Sequence, residues 1–207
     1  MRSISKWATL GMPVAVFIAG VAMSANRAGA ADAASAAQFD TKGNLIFPAD
    51  YRHWTYLSSG YGMSYNAKAN AAAEPPFDTV FVDPASERSF RETGHWPEGT
   101  VIVLEVRAST SKGSINVHGA YQSGAPLGIE IHVRDSTRFK GGWGFFNVSQ
   151  TQATALIPYT ANCYSCHQQH AAVDTTFVQF YPTLLPIAQA KHSFSTAYLA
   201  EESAAKP

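Results

Sequence analysis

Cysteine is scarce in this chain: Cys163 and Cys166 are the only two among 207 residues. A fold stapled by several disulfides is thereby excluded, and both thiols fall within one short segment. Charge is sparse as well, at 14% Asp, Glu, Lys and Arg, with 15 residues of each sign. Without a basic stripe to release counterions from phosphates, nucleic-acid binding has no support. Past residue 30 no apolar run is long enough to span a bilayer. Methionine also thins out: beyond residue 30 there is only Met63, and none follows the cysteines.

The beginning of the chain is patterned. Arg2 and Lys6 precede an apolar run from Ala8 to Met23, and Ala28-Gly29-Ala30 supplies the small residues of a cleavage site. This predicts a signal peptide over residues 1–30, since Gly11, Pro13 and Gly20 weaken the alternative of a retained membrane anchor. Twin arginines are absent and no cysteine follows the run, so general secretion into a periplasm is expected. Removing this segment takes away Arg2, Lys6 and Arg27, leaving 12 basic against 15 acidic residues. The remainder, about 177 residues, suits one domain with a core that folds without staples. Within it, residues 31–38 read as a flexible leader, 39–195 as the folded domain and 196–207 as a disordered tail.

The coarse pattern favours strands. Tyr51, Trp54, Tyr56 and Leu57 suggest a short helix or turn with one aromatic face before Gly60 breaks it, and residues 58–76 read as loop. Phe77 to Val82 is β-branched and aromatic and ends at Asp83-Pro84, so it reads as a strand before a short helix over 85–93. Thr100 to Ala108 is apolar on both parities and reads as a central strand. Residues 109–114 and 119–128 look like turn and connection. Ile129 to Arg134 then alternates as a half-buried strand, and Trp143 to Val148 is another. Val173, Phe177, Phe180 and Tyr181 recur at helical intervals before Pro182. The expected class is α+β: a mainly antiparallel β-sheet with flanking helices.

Cys163-Tyr164-Ser165-Cys166-His167 has the C-x-x-C-H spacing of c-type haem attachment. There two thiols add across the vinyl groups and the adjacent imidazole, here His167, meets the iron. A local disulfide or thioredoxin-like pair is the competing reading, and it calls for a βαβ context that this region does not show. A structural zinc site needs four ligands, and only His170 stands near to help. The second axial position separates electron carriers from small-molecule sites. Met63 is the sole thioether candidate, in a Gly- and Ser-containing loop, and among histidines 53, 95, 118, 132, 170 and 192 the best placed is His132, on the alternating strand.

Several segments in order resemble the cytochrome P-460 family, which includes the cytochromes c′-beta. They are Phe47-Pro48 with Tyr51-Arg52 and Trp54, Val80 to Pro84, Thr93-Gly94 with Gly99-Thr100-Val101, Val133 to Ser136 with Arg138-Phe139, and Cys163 to His167 with Phe180-Tyr181-Pro182. The resemblance covers nearly the whole chain after residue 38. It implies a homodimer and one covalent haem c with a five-coordinate iron. Members either oxidise hydroxylamine, with a lysine bonded to the haem, or lack that bond and bind nitric oxide behind an aromatic distal cap.

Against that pattern, Leu104 stands where the cross-linking lysine is expected, and Lys112 is the nearest lysine. Residues 146–162 hold no Asp or Glu to serve as the distal carboxylate, leaving Glu130 or Glu105 on neighbouring strands as substitutes. Phe77 and Phe81 are the candidates for the aromatic cap. The expected distal pocket is therefore Phe77, Phe81, Leu104, Glu130 and His132. The expected function is a periplasmic haem protein binding nitric oxide or a related small nitrogen species and exchanging electrons with a periplasmic redox partner. A hydroxylamine-oxidising oxidoreductase is the alternative, and an electron-transfer cytochrome c the third reading.

Overall fold

The computed structural model describes residues 37–65 and 74–205; the expected signal peptide and most of the expected leader lie outside the described residues. Six strands form one antiparallel sheet in which each strand pairs with the next in sequence. They are β1 (Thr55–Tyr61), β2 (Phe77–Val82), β3 (Val101–Thr110), β4 (Tyr121–Arg134), β5 (Trp143–Val148) and β6 (Thr154–Leu156). Among the described residues four α-helices accompany them: α1 (Pro84–Thr93), α2 (Asn162–His170), α3 (Leu185–Lys191) and α4 (Thr196–Ala204). The class is α+β, as expected.

Strand parity sorts the sheet into two faces. Val101, Val103, Ile131, Val133 and Phe146 pack on one of them with Leu45 and Tyr51. Leu57, Val82, Ile102, Trp143 and Phe145 pack on the other with Phe90, Trp96 and Leu184 from the helical layer. Both parities of β3 are thus covered, which is why its sequence reads as a nearly unbroken apolar run. Each large side chain fully removed from water contributes roughly 1.5–3 kcal/mol, so β3 anchors two cores at once.

Local chemistry sets the ends of α1. The Asp83 carboxylate accepts from Ser86 N–H at 2.8 Å, and its second oxygen accepts from Val101 N–H at 2.9 Å. One N-cap therefore stops the helix and ties it to β3. At the other end Gly94, with φ of 80°, provides the left-handed residue that terminates the helix.

Several expectations are corrected. The loop expected from residue 58 is strand to Tyr61, because Ser58 to Tyr61 pair with Phe77 to Val80. The connection expected over 119–128 is the first half of β4. Its Gly124 and Pro126 are accommodated by register shifts opposite Arg107, so residues that signal loop occupy bulges instead. The helix expected over 171–181 is replaced by an isolated Val173–Thr176 bridge and a single 3-10 turn at Val178–Phe180, because Asp174 and Thr175 take positive φ and break the helical path. The tail expected beyond residue 195 is α4, capped by the Ser195 hydroxyl accepting from Tyr198 N–H at 3.1 Å.

Candidate haem site

The helical layer does not fill the space above the sheet. A cavity of about 420 Å³ remains, within the range of cofactor pockets. Its floor is one parity of four strands: Ser58 and Gly60 of β1, Asp78 and Val80 of β2, Ile102, Leu104 and Val106 of β3, and Glu130 and His132 of β4. Cross-strand pairing puts Leu104 between Val80 and Glu130, at the centre of that floor. Cys163, Cys166 and His167 of α2 form a second wall, continued by Phe177, Phe180 and Tyr181. Met63 and Tyr65 border the cavity from the segment after β1.

α2 is held to the sheet by the residue between the two cysteines and their neighbours. The Tyr164 ring stacks on Phe145 with centroids 4.3 Å apart. Its hydroxyl accepts from Phe145 N–H at 3.0 Å and donates to the Ile157 carbonyl at 3.2 Å. With Tyr164 buried against β5, the three residues Cys163, Cys166 and His167 face the cavity, and both thiols are free.

His167 is held by three rings and one hydrogen bond. Phe177, Phe145 and His132 approach its ring at centroid distances of 4.4, 4.8 and 5.0 Å. Its Nδ1–H donates to the Thr175 carbonyl at 2.8 Å, which leaves the Nε2 lone pair free. Burial holds its pKa below the ordinary histidine value, with the Thr175 bond opposing more weakly. The ring is therefore a neutral imidazole, the form that binds a metal.

His132 lies beside His167. Its ring stacks on Phe145 at 4.0 Å and meets His167 edge-on, at 74°. Both rings line the cavity, His132 from the sheet and His167 from α2. Burial and the adjacent His167 push its pKa well below the ordinary value, and it too is neutral.

The two expected cap residues do not line the cavity. Asp78 and Val80 face the cavity, so Phe77 and Phe81 point to the opposite face. Phe81 packs against Tyr51 at 5.7 Å and Tyr56 at 6.4 Å, and Phe77 against Tyr61 at 4.7 Å. Glu105 is on that face as well, buried and bonded to the Tyr51 hydroxyl and to the guanidinium groups of Arg52 and Arg107. Lys112 is exposed in the β3–β4 turn, where its carbonyl accepts from the Tyr121 hydroxyl at 2.9 Å, and it does not reach the cavity wall. Leu104 and Glu130 do line the cavity.

Asp78 was missed by sequence reasoning, although the alternation of Asp78 with Phe77 and Thr79 signals a face. Burial raises its carboxyl pKa, and burial followed by the Asp78 charge raises that of Glu130. The cavity thus holds two carboxyl groups whose protonated forms are favoured over those of free carboxyls.

The donor set fits a c-type haem. Two free thiols and a neutral imidazole with a free nitrogen share one helical wall, and aromatic and aliphatic side chains supply surface for an apolar macrocycle. Fold and site together define a mono-haem c-type cytochrome built on an antiparallel sheet. Residues 48–178 match the model of the Cytochrome P460 family, and the chain belongs to that family. It accordingly carries a covalently attached haem c. No curated protein matches the chain.

Proposed function

We propose that Cys163 and Cys166 hold the haem, that His167 is its axial ligand, and that the open side of the iron binds nitric oxide or a related small nitrogen species. The observation that carries this reading is the floor of the cavity, where Leu104 sits between Val80 and Glu130 with Val106 beyond it. Among the described residues no lysine lines the cavity. An apolar wall favours a neutral diatomic ligand, because a charged one loses hydration there without a partner. When bound, the haem supplies a metal that binds such ligands and exchanges single electrons. The chain holds the axial imidazole, excludes water with Phe177 and Tyr181, and places two carboxyl groups within the cavity. The patterned residues 1–30 support a periplasmic location. The exposed Ile115, Val117 and Leu127 of the β3–β4 hairpin support the homodimer that the family resemblance implies.

Asp78 and Glu130 favour a second reading, oxidation of hydroxylamine, which needs a base near the substrate nitrogen. Absorption spectra of the protein matured with haem, before and after nitric oxide and after hydroxylamine with an electron acceptor, separate the two. A high-spin ferrous spectrum that changes with nitric oxide, without hydroxylamine turnover, is the expected result. Steady acceptor reduction by hydroxylamine transfers the assignment to the oxidase. A six-coordinate low-spin spectrum that ignores nitric oxide refutes ligand binding altogether. His167→Ala retaining an unchanged iron spectrum refutes the axial assignment.

A further inference from the structure

We infer that Asp174 is a positioning residue for the axial histidine, anchoring a strained turn whose Thr175 carbonyl fixes His167. The inference rests on the proposed axial role of His167.

Asp174 and Thr175 both adopt left-handed backbone conformations, with φ of 46° and 57°. For a β-branched residue such as threonine this region is a genuine outlier. Such conformations persist only where the surroundings over-determine them, and they gather at functional sites. Here the over-determination is visible. The Asp174 carboxylate accepts from Trp96 N–H at 2.9 Å, lies 3.2 Å from the Arg134 guanidinium, and lies 3.1 Å from His95 Nδ1. Thr176, the next residue on, accepts from Trp96 Nε1–H at 2.8 Å and donates to the Val173 carbonyl at 2.7 Å.

The chain segment before β3 and the end of β4 thus clamp the turn from two directions. Trp96, which bonds both Asp174 and Thr176, is itself buried against Phe90 at 4.4 Å. The product of this clamping is one carbonyl, that of Thr175, placed 2.8 Å from His167 Nδ1. An acceptor held on Nδ1–H orients the ring and strengthens Nε2 as a donor to the metal. Of these side chains only Thr176 lines the cavity, so the influence of Asp174, Trp96 and Arg134 on the iron runs through this hydrogen bond.

The test uses the haem-loaded protein and its Asp174→Ala and Asp174→Asn variants. Resonance Raman of the ferrous form reads the iron–histidine stretch, and a redox titration reads the reduction potential. The expected result for D174A is a lower stretching frequency and a more positive potential at unchanged haem content, since a slackened hydrogen bond leaves Nε2 a weaker donor. D174N keeps an acceptor for Trp96 N–H but loses the charge facing Arg134, so it is expected between D174A and wild type. It is isosteric, and keeps the test open if D174A does not fold. Variants with a lowered melting temperature but wild-type stretch and potential would show a merely structural anchor and overturn the inference. A wild-type protein lacking the iron–histidine band would instead overturn the axial assignment, and the inference with it.

Discussion

Tyr164→Phe removes one oxygen atom and two hydrogen bonds from the join between α2 and the sheet. The ring stack on Phe145, at 4.3 Å and an interplanar angle of 11°, is available to phenylalanine as well. The hydroxyl is not: Phe145 N–H loses its partner at 3.0 Å and the Ile157 carbonyl its donor at 3.2 Å. Phe145 is only 2% exposed, so water does not readily replace the lost acceptor. An orphaned buried donor costs about 1–3 kcal/mol, and the second, neutral bond adds about 1 kcal/mol. The total is about 2–4 kcal/mol. At roughly 2–4 °C per kcal/mol for a domain of this size, the melting temperature is expected to fall by about 4–16 °C. Thermal unfolding of the haem-loaded wild type and variant, followed by circular dichroism, measures this. The iron spectrum recorded alongside should persist, because Cys163, Cys166 and His167 are untouched. A variant melting within about 2 °C of wild type would show that the hydroxyl does not hold α2 in place.

Three further predictions concern other parts of the molecule. Glu105→Ala leaves the Tyr51 hydroxyl and Arg107 without their shared acceptor and should cost about 3 kcal/mol in denaturant unfolding. The iron spectrum should stay the same because Glu105 faces away from the cavity; a spectral shift would contradict the face assignment. Gly94→Ala forces a side chain onto φ of 80° and brings its Cβ to 2.5 Å from Lys191 Cβ. A loss of at least about 1 kcal/mol is expected, and an unchanged denaturation midpoint would rule out the strain. Asp78 and Glu130 have carboxyl pKa values raised above the ordinary 3.8 and 4.5, so each binds its proton more tightly folded than unfolded. Their contribution to stability is complete below the unfolded values, near pH 4, and is lost as pH rises through the raised folded values. Asp78→Asn and Glu130→Gln should therefore melt above wild type at pH 7 and lose that advantage below about pH 4. The opposite order at pH 7 would refute the sign.

The parts of the site legible in the sequence were those with local signatures. The C-x-x-C-H spacing is read from five adjacent residues, and β3 announces its double burial by carrying apolar side chains on both parities. Which parity of β2 meets the cavity is a different kind of question. A step of one residue exchanges the faces, and the answer depends on α2, some eighty residues later. The aromatic Phe77 and Phe81 suggested one face, yet the structure uses the other, with Asp78 and Val80. The bulges of β4 conceal a strand beneath Gly124 and Pro126 for a similar reason, since pairing with β3 overrides residue preference. The α4 segment is short and rich in small residues, and a helix of nine residues relies on packing against its neighbours rather than on propensity. No local pattern marked Asp174, whose partners come from residues 95, 96 and 134.

The meander order of the sheet bears on the sequence of assembly. Every strand finds its partner in the strand that precedes it, and the last, β6, is complete at Leu156, before α2 opens at Asn162. Neighbour-to-neighbour pairing keeps loop-closure costs small and favours rapid folding. The core of Tyr51, Val103, Ile131 and Phe146 draws on none of the cavity-lining residues, so it closes without the haem. A chain that emerges amino-terminus first thus prepares its platform before the two thiols are exposed. The segment to be modified follows the last strand, at a surface already waiting for it.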